Sequence, residues 1–125
     1  MLTEKFYEII KHEGIFTIMS WGAHPEPNMA HTWNSYLIIT EDEKILLPAG
    51  GFKATEENVA VNDQVLIALG SKEVEGKNGY QGTGLHLYAT ARFVTDGENF
   101  DKIKERFSWA RSAMELSVTS IKQLL

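Results

Sequence analysis

The sequence contains no cysteine, which excludes a thiolate nucleophile, a cysteine-ligated zinc and an iron–sulfur cluster. It also lacks an excess of positive charge. Lys and Arg number 12 against 17 Asp and Glu, a formal net charge of −5. Phosphate backbones and anionic membranes are bound mainly through clustered cations, so neither nucleic acid nor a membrane surface is indicated as a partner. No apolar run approaches the ~18 residues that span a bilayer. The opening MLTEKFYEIIKHEG places Glu4, Lys5, Glu8 and Lys11 where a secretory signal would be continuously apolar, so a cytoplasmic location is expected. Prolines are few, and the three present fall at 25, 27 and 48, where strands should end.

What is present is an ordinary globular composition, 43% hydrophobic and 23% charged. A chain of 125 residues fits a single domain, 1–125, that buries roughly two thirds of its unfolded surface without a disulfide or metal.

Thr3 can cap a first helix over 3–13, with Glu4 in its first turn, an apolar stripe at Phe6, Ile9 and Ile10, and Gly14 as the stop. From Ile15 the pattern turns to β. Strands are predicted over 15–21, 29–39, 45–47, 64–69, 84–94 and 114–124. A short helix from a Thr55 cap to about Val61 and another over 99–107 complete the set. Gly76 to Gly84 reads as a long hairpin loop with an Asn78-Gly79 turn. Six strands without a βαβ rhythm predict a mainly β, α+β domain, a six-stranded antiparallel barrel with short flanking helices.

Three stretches carry chemistry. In Leu46 to Asn58 a strand ends in Gly50-Gly51, followed by Lys53 and a helix start. Glycines admit close approach of an anion, and the helix end and Lys53 add positive charge, so this is either a phosphate seat or a plain strand-to-helix turn. It fits neither G-x-x-x-x-G-K-[ST] nor G-x-G-x-x-G, so nucleoside triphosphates and Rossmann dinucleotides are not indicated. In His31-Thr32-Trp33-Asn34-Ser35-Tyr36, alternation sets Thr32, Asn34 and Tyr36 on one face and His31, Trp33 and Ser35 on the other. A Trp among amides and hydroxyls suits a flat ligand rich in acceptors, or else Trp33 packs in the core. Phe107 to Arg111 sets aromatics beside an Arg, either as a ligand wall or as helix packing. His24, Glu26 and His31 do not have the spacing of a metal site, and no nucleophile elbow or general base stands out.

Together these stretches resemble the small FMN-binding proteins of the pyridoxamine 5′-phosphate oxidase-like split-barrel group. The resemblance runs along the whole chain. It rests on Thr32-Trp33-Asn34-Ser35-Tyr36, Gly50-Gly51, Thr55-Glu56, Asn58-Val59, Leu69-Gly70-Ser71, Gly82-Thr83-Gly84, Thr95-Asp96-Gly97 and Trp109-Ala110-Arg111. It implies a homodimer of split barrels with one FMN per subunit near the interface, and a redox role. Either an electron carrier served by a redox partner protein or nicotinamide donor, or a flavin reductase or oxidase, is consistent with it; a module for haem or another cofactor is a further alternative. Carried over by position, Thr32, Trp33, Asn34 and Ser35 line the flavin. Pro48, Ala49, Gly50 and Gly51 give it backbone contacts, and Trp109 stands by the ring with Tyr36 further off. Lys53, Ala54 and Thr55 form the phosphate turn, with Ala54 where the family has Lys. Glu13 supplies an acidic surrounding, and Leu125 covers a flavin of the partner subunit.

Overall fold

The computed structural model describes residues 1–125. In chain order the elements are α1 (Glu4–Ile10), β1 (Ile15–Ser20), β2 (Asn28–Trp33), β3 (Ile38–Ile39), β4 (Ile45–Ala49), α2 (Lys53–Val61), β5 (Gln64–Glu75), β6 (Gln81–Val94), α3 (Glu98–Arg106) and β7 (Ser112–Gln123). Single 3-10 turns occupy Asn34–Tyr36 and Lys77–Gly79. The class is mainly β with three helices, as expected, and every strand pairing is antiparallel.

All seven strands form one sheet in the order β2-β1-β5-β6-β7-β4-β3. Its two edges, β2 and β3, are consecutive in the chain, separated only by the step from Trp33 to Ile38. Laid flat, seven strands would hold their edges about 29 Å apart, six spacings of about 4.8 Å. Five residues reach at most about 18 Å. The sheet must therefore curl into a barrel whose split lies between β2 and β3.

The core follows from the patterns that made these strands. Phe16 and Ile18 of β1, Ile67 of β5, Leu85 and Leu87 of β6, and Met114 and Leu116 of β7 point inward and are almost completely buried. Thr3 caps α1 by accepting the Phe6 amide at 3.2 Å, and Phe6 and Ile9 plug one end of the barrel. Strand β4 is buried on both faces. Ile45 and Leu47 enter the main core, while Leu46 packs under α3 with Ile103, Phe107, Ala110 and Ala113.

Several boundaries differ from expectation. The predicted second strand breaks at Asn34, where a 3-10 turn separates β2 from β3, and this makes seven strands rather than six. The anticipated long glycine loop is a tight hairpin, because β5 runs on to Glu75 and β6 begins at Gln81. Helix α1 stops at Ile10, short of the predicted residue 13. Helix α2 begins at Lys53, so Thr55 lies inside its first turn and is not the cap. No helix is long and apolar enough to cross a membrane.

Candidate functional site

The split of the barrel carries the candidate site. From β2, His31, Thr32 and Trp33 form one wall; the end of β4 and the turn after it supply Pro48, Gly50, Gly51 and Phe52; Tyr36 and Trp109 close the far side. These residues line a cavity of about 200 Å³. Trp33 is 46% exposed and Trp109 55%, so neither indole belongs to the core. The alternation read from the sequence holds from His31 to Ser35, with Thr32 and Asn34 buried and His31, Trp33 and Ser35 facing out, but not at Tyr36, which the 3-10 turn swings beside Trp109 instead of onto the Thr32 face.

Trp109 is held by neighbours. Its ring centroid lies 5.8 Å from Phe107 and 6.3 Å from Tyr36, and Tyr36 and Phe107 are 4.9 Å apart. Beneath it, a Cβ on Gly50 would approach the indole to 3.2 Å, so glycine is what lets the ring lie against this turn. A Cβ on Gly51 would meet nothing within 4 Å and would stand in open space. The cavity floor is therefore bare backbone, as a planar ligand pressed against it needs.

The trough continues along β2 and the start of α2. Lys53 and Ala54, directly after Phe52, line a second opening of about 460 Å³ with His24, Glu26, Pro27, Asn28 and Glu57. No side chain caps α2, which leaves first-turn amides without a side-chain acceptor beside the Lys53 ammonium. The surroundings are mixed in charge, since Glu26 is present and Glu57 pairs with His24 at 2.9 Å. The Thr55 hydroxyl is buried and accepts from Asn28 Nδ2 at 3.0 Å, pinning the helix start to β2. His31 Nδ1 lies 3.0 Å from Thr17 Oγ1 on β1, so His24 and His31 have separate partners.

Other expected residues gather elsewhere. Glu13 Oε1 and Oε2 accept from the Ser35 amide at 3.0 Å and the Ser35 hydroxyl at 2.6 Å. Those donors hold the Glu13 carboxyl below its ordinary range. Asn34 is buried, gives Nδ2 to the His12 carbonyl at 3.0 Å, and gives its amide to Gly14. This group fastens the α1–β1 connection beneath the 3-10 turn and does not line the cavity. Leu125 is also outside it. It sits against the β5–β6 hairpin, where its carbonyl accepts from Thr83 at 3.0 Å and Gln123 at 2.9 Å, and its side chain is half exposed.

Three participants were not foreseen. Phe52 lines the cavity, Asn28 holds Thr55, and Arg111 donates Nε to the Gly50 carbonyl at 2.7 Å and pairs with Glu56. Phe52 lay inside the Leu46–Asn58 stretch and Arg111 beside Trp109 in the Phe107–Arg111 stretch, whereas Asn28 left no trace in the sequence.

Comparison with known proteins gives concordant results. A family model described as pyridoxamine 5′-phosphate oxidase matches residues 2–124. An FMN-binding protein of Nitratidesulfovibrio vulgaris (strain DSM 19637 / Miyazaki F) is 43% identical over 125 residues, all of both chains. Among solved structures, an FMN-binding protein from Syntrophomonas wolfei superposes with a TM-score of 0.74 at 20% identity, covering 98% of this chain and 85% of that one. HupZ of Group A Streptococcus superposes at 0.79 with 17% identity, covering 99% and 94%. At such identities the two structures show the fold alone.

Proposed function

Because this chain belongs to the pyridoxamine 5′-phosphate oxidase family, we propose that it binds FMN along the split of its barrel and works as a small electron-transfer flavoprotein of the cytoplasm. The observation that carries this reading is the trough itself. Two half-exposed indoles stand over a bare glycine floor, and the floor leads directly into an uncapped helix start with a Lys. The full-length relative at 43% identity, an FMN-binding protein, supports the same ligand.

The residues present fit that group. Trp33 and Trp109 offer flat apolar surfaces to a ring, and the backbone at Pro48, Gly50 and Gly51 approaches it without side chains. Lys53 and the α2 start suit a phosphate, with Glu26 and Glu57 limiting how much negative charge is tolerated nearby. Bound FMN would supply the redox chemistry, while the protein sets its position and surroundings. Trp33 and Trp109 restrict water at the ring. The Glu13 carboxylate, kept ionised by Ser35, adds negative charge on the β2 side, which disfavours an added electron. The cavity wall carries no carboxylate or lysine, and its one imidazole, His31, has Nδ1 engaged by Thr17 Oγ1 at 3.0 Å, which favours a carrier over an oxidase. The full assembly in this reading is a homodimer, in which Leu125 covers the partner's flavin.

The test is titration of the purified protein with FMN, followed in the visible spectrum and by flavin fluorescence. One FMN per chain with strongly quenched fluorescence is the expected result. A protein that ignores FMN refutes the reading, and a Soret band would transfer it to haem. Rapid reduction of the bound flavin by NADH or NADPH alone would replace the carrier with a reductase. Sedimentation as a species of about 14 kDa at micromolar concentration would refute the dimer.

A further inference from the structure

Arg111 makes an arrangement that the trough's lining does not account for. Its amide donates to the Ala49 carbonyl at 2.9 Å, and its Nε donates to the next carbonyl, Gly50, at 2.7 Å. Its Nη2 pairs with Glu56 on α2. A single residue thus holds two successive carbonyls of the cavity floor. Neither peptide is cis. In a planar trans peptide the N–H points opposite to the C=O, so fixing the carbonyls of Ala49 and Gly50 also fixes the amides of Gly50 and Gly51. Neither amide has an acceptor within the chain, and both residues line the cavity.

We propose that Arg111 is a positioning residue: by binding the Ala49 and Gly50 carbonyls it locks the two floor peptides so that the Gly50 and Gly51 amides stand ready as donors to acceptor atoms of a ligand ring. Gly50 and Gly51 lack the side chains that would otherwise restrict these peptides, so without a clamp the Gly50–Gly51 unit would rotate freely. Clamped, it loses little entropy on binding, and its N–H rather than its C=O meets the ring. Trp109, two residues before Arg111, rests on the same glycine, so one segment supplies both the aromatic wall and the clamp. The inference deepens the FMN reading and rests on it for the identity of the ring.

The experiment compares wild type, Arg111→Met and Glu56→Gln in two settings. In ligand-free protein, NMR follows the Gly50 carbonyl carbon and the Gly51 amide. With FMN, titration gives the Kd, and a redox titration gives the potential of the bound flavin. Arg111→Met should move the Gly50 carbonyl resonance, broaden or split the Gly51 amide, weaken FMN binding about tenfold and shift the potential, because a donor has been lost from the ring's surroundings. Glu56→Gln keeps the Nε to Gly50 bond and should leave affinity within about threefold of wild type. Unchanged Gly50 and Gly51 resonances in Arg111→Met would overturn the clamp. So would equal losses in Glu56→Gln, or unaltered FMN affinity and potential in Arg111→Met. If wild type binds no FMN yet the ligand-free resonances respond as stated, the clamp stands and the FMN reading alone has failed.

Discussion

Asn58 holds α2 in place, and its removal should be felt throughout the molecule. The residue is completely buried. Its Oδ1 accepts from the Ala23 amide at 2.8 Å, and its Nδ2 donates to Ser20 Oγ at 3.1 Å. Ser20 is itself completely buried at the end of β1. Asn58→Ala deletes both partners at once. The Ala23 amide lies in an exposed stretch and can turn to water, whereas the Ser20 hydroxyl, bonded to Asn58, is left in the interior without that partner. An orphaned buried polar group costs about 1–3 kcal/mol, and one that can be rehydrated lies at the lower end. The sum, with the small void left by the amide, should be about 2–3 kcal/mol. For a chain of this size that corresponds to roughly 8–12 °C in Tm. Urea unfolding with a shared slope measures the difference. Asn62→Ala is the control, since its Nδ2 makes only a 3.4 Å contact at an exposed site and should cost within about 0.5 kcal/mol. A loss below about 0.5 kcal/mol for Asn58→Ala would refute the claim that this amide anchors the helix.

Gly51→Ala separates stability from binding. Gly51 has no positive φ and its added methyl meets nothing, so the ligand-free protein should be unchanged or more stable by about 0.4–1 kcal/mol. The same methyl stands on the cavity floor and should weaken FMN binding at least about tenfold, measured by flavin fluorescence; equal affinity would place the ring elsewhere. Acid should destabilise the fold in a defined window. Lys44 and Thr40 lower the Asp42 pKa to about 2, and the terminal ammonium and Tyr7 lower that of Glu43. Groups depressed in the folded state stabilise it fully above their unfolded values and lose that contribution as pH falls through the folded ones. The urea midpoint should therefore drop from pH 5 downward, for Asp42 mainly between about 4 and about 2. Asp42→Asn should flatten the lower part of that curve. Added salt should shrink the effect, because the Asp42–Lys44 pair is exposed.

Much of the fold can be read locally. Thr3 before Glu4, Phe6 and Ile9 specifies α1 through contacts within a few residues, and alternating Leu85, Leu87, Ala89 and Ala91 specifies β6. The misplaced boundaries arise where distant partners decide. Asn34 leaves the strand because its side chain and amide are drawn to His12 and Gly14 across the α1–β1 turn. Thr55 looks like a cap by composition, but Asn28, far back in the chain, occupies its hydroxyl. β5 extends past Gly70 because β6 provides a partner out to Gln81, even through a register shift between Ser71 and Glu75. The site shows the same division. Trp33, Gly50, Gly51 and Trp109 announce themselves by residue type, whereas the bonds from Arg111 to Ala49 and Gly50 exist only once β7 lies beside β4.

The split between β2 and β3 has a consequence for motion. β2 pairs with β1 alone, and β4 pairs with β3 and β7, so no backbone rung joins the wall carrying Thr32 and Trp33 to the wall carrying Pro48, Gly50 and Trp109. The turn Asn34–Tyr36, the Asn28 to Thr55 bond that holds the start of α2 against β2, and side-chain contacts such as Arg106 to the Ser35 carbonyl at 2.7 Å tie the rims together there. The gap is thus spanned by one turn, one helix and side-chain bonds, while the hydrogen-bonded ladder around the rest of the circumference is continuous. Opening at this seam would cost side-chain bonds alone, because no strand pairing crosses it.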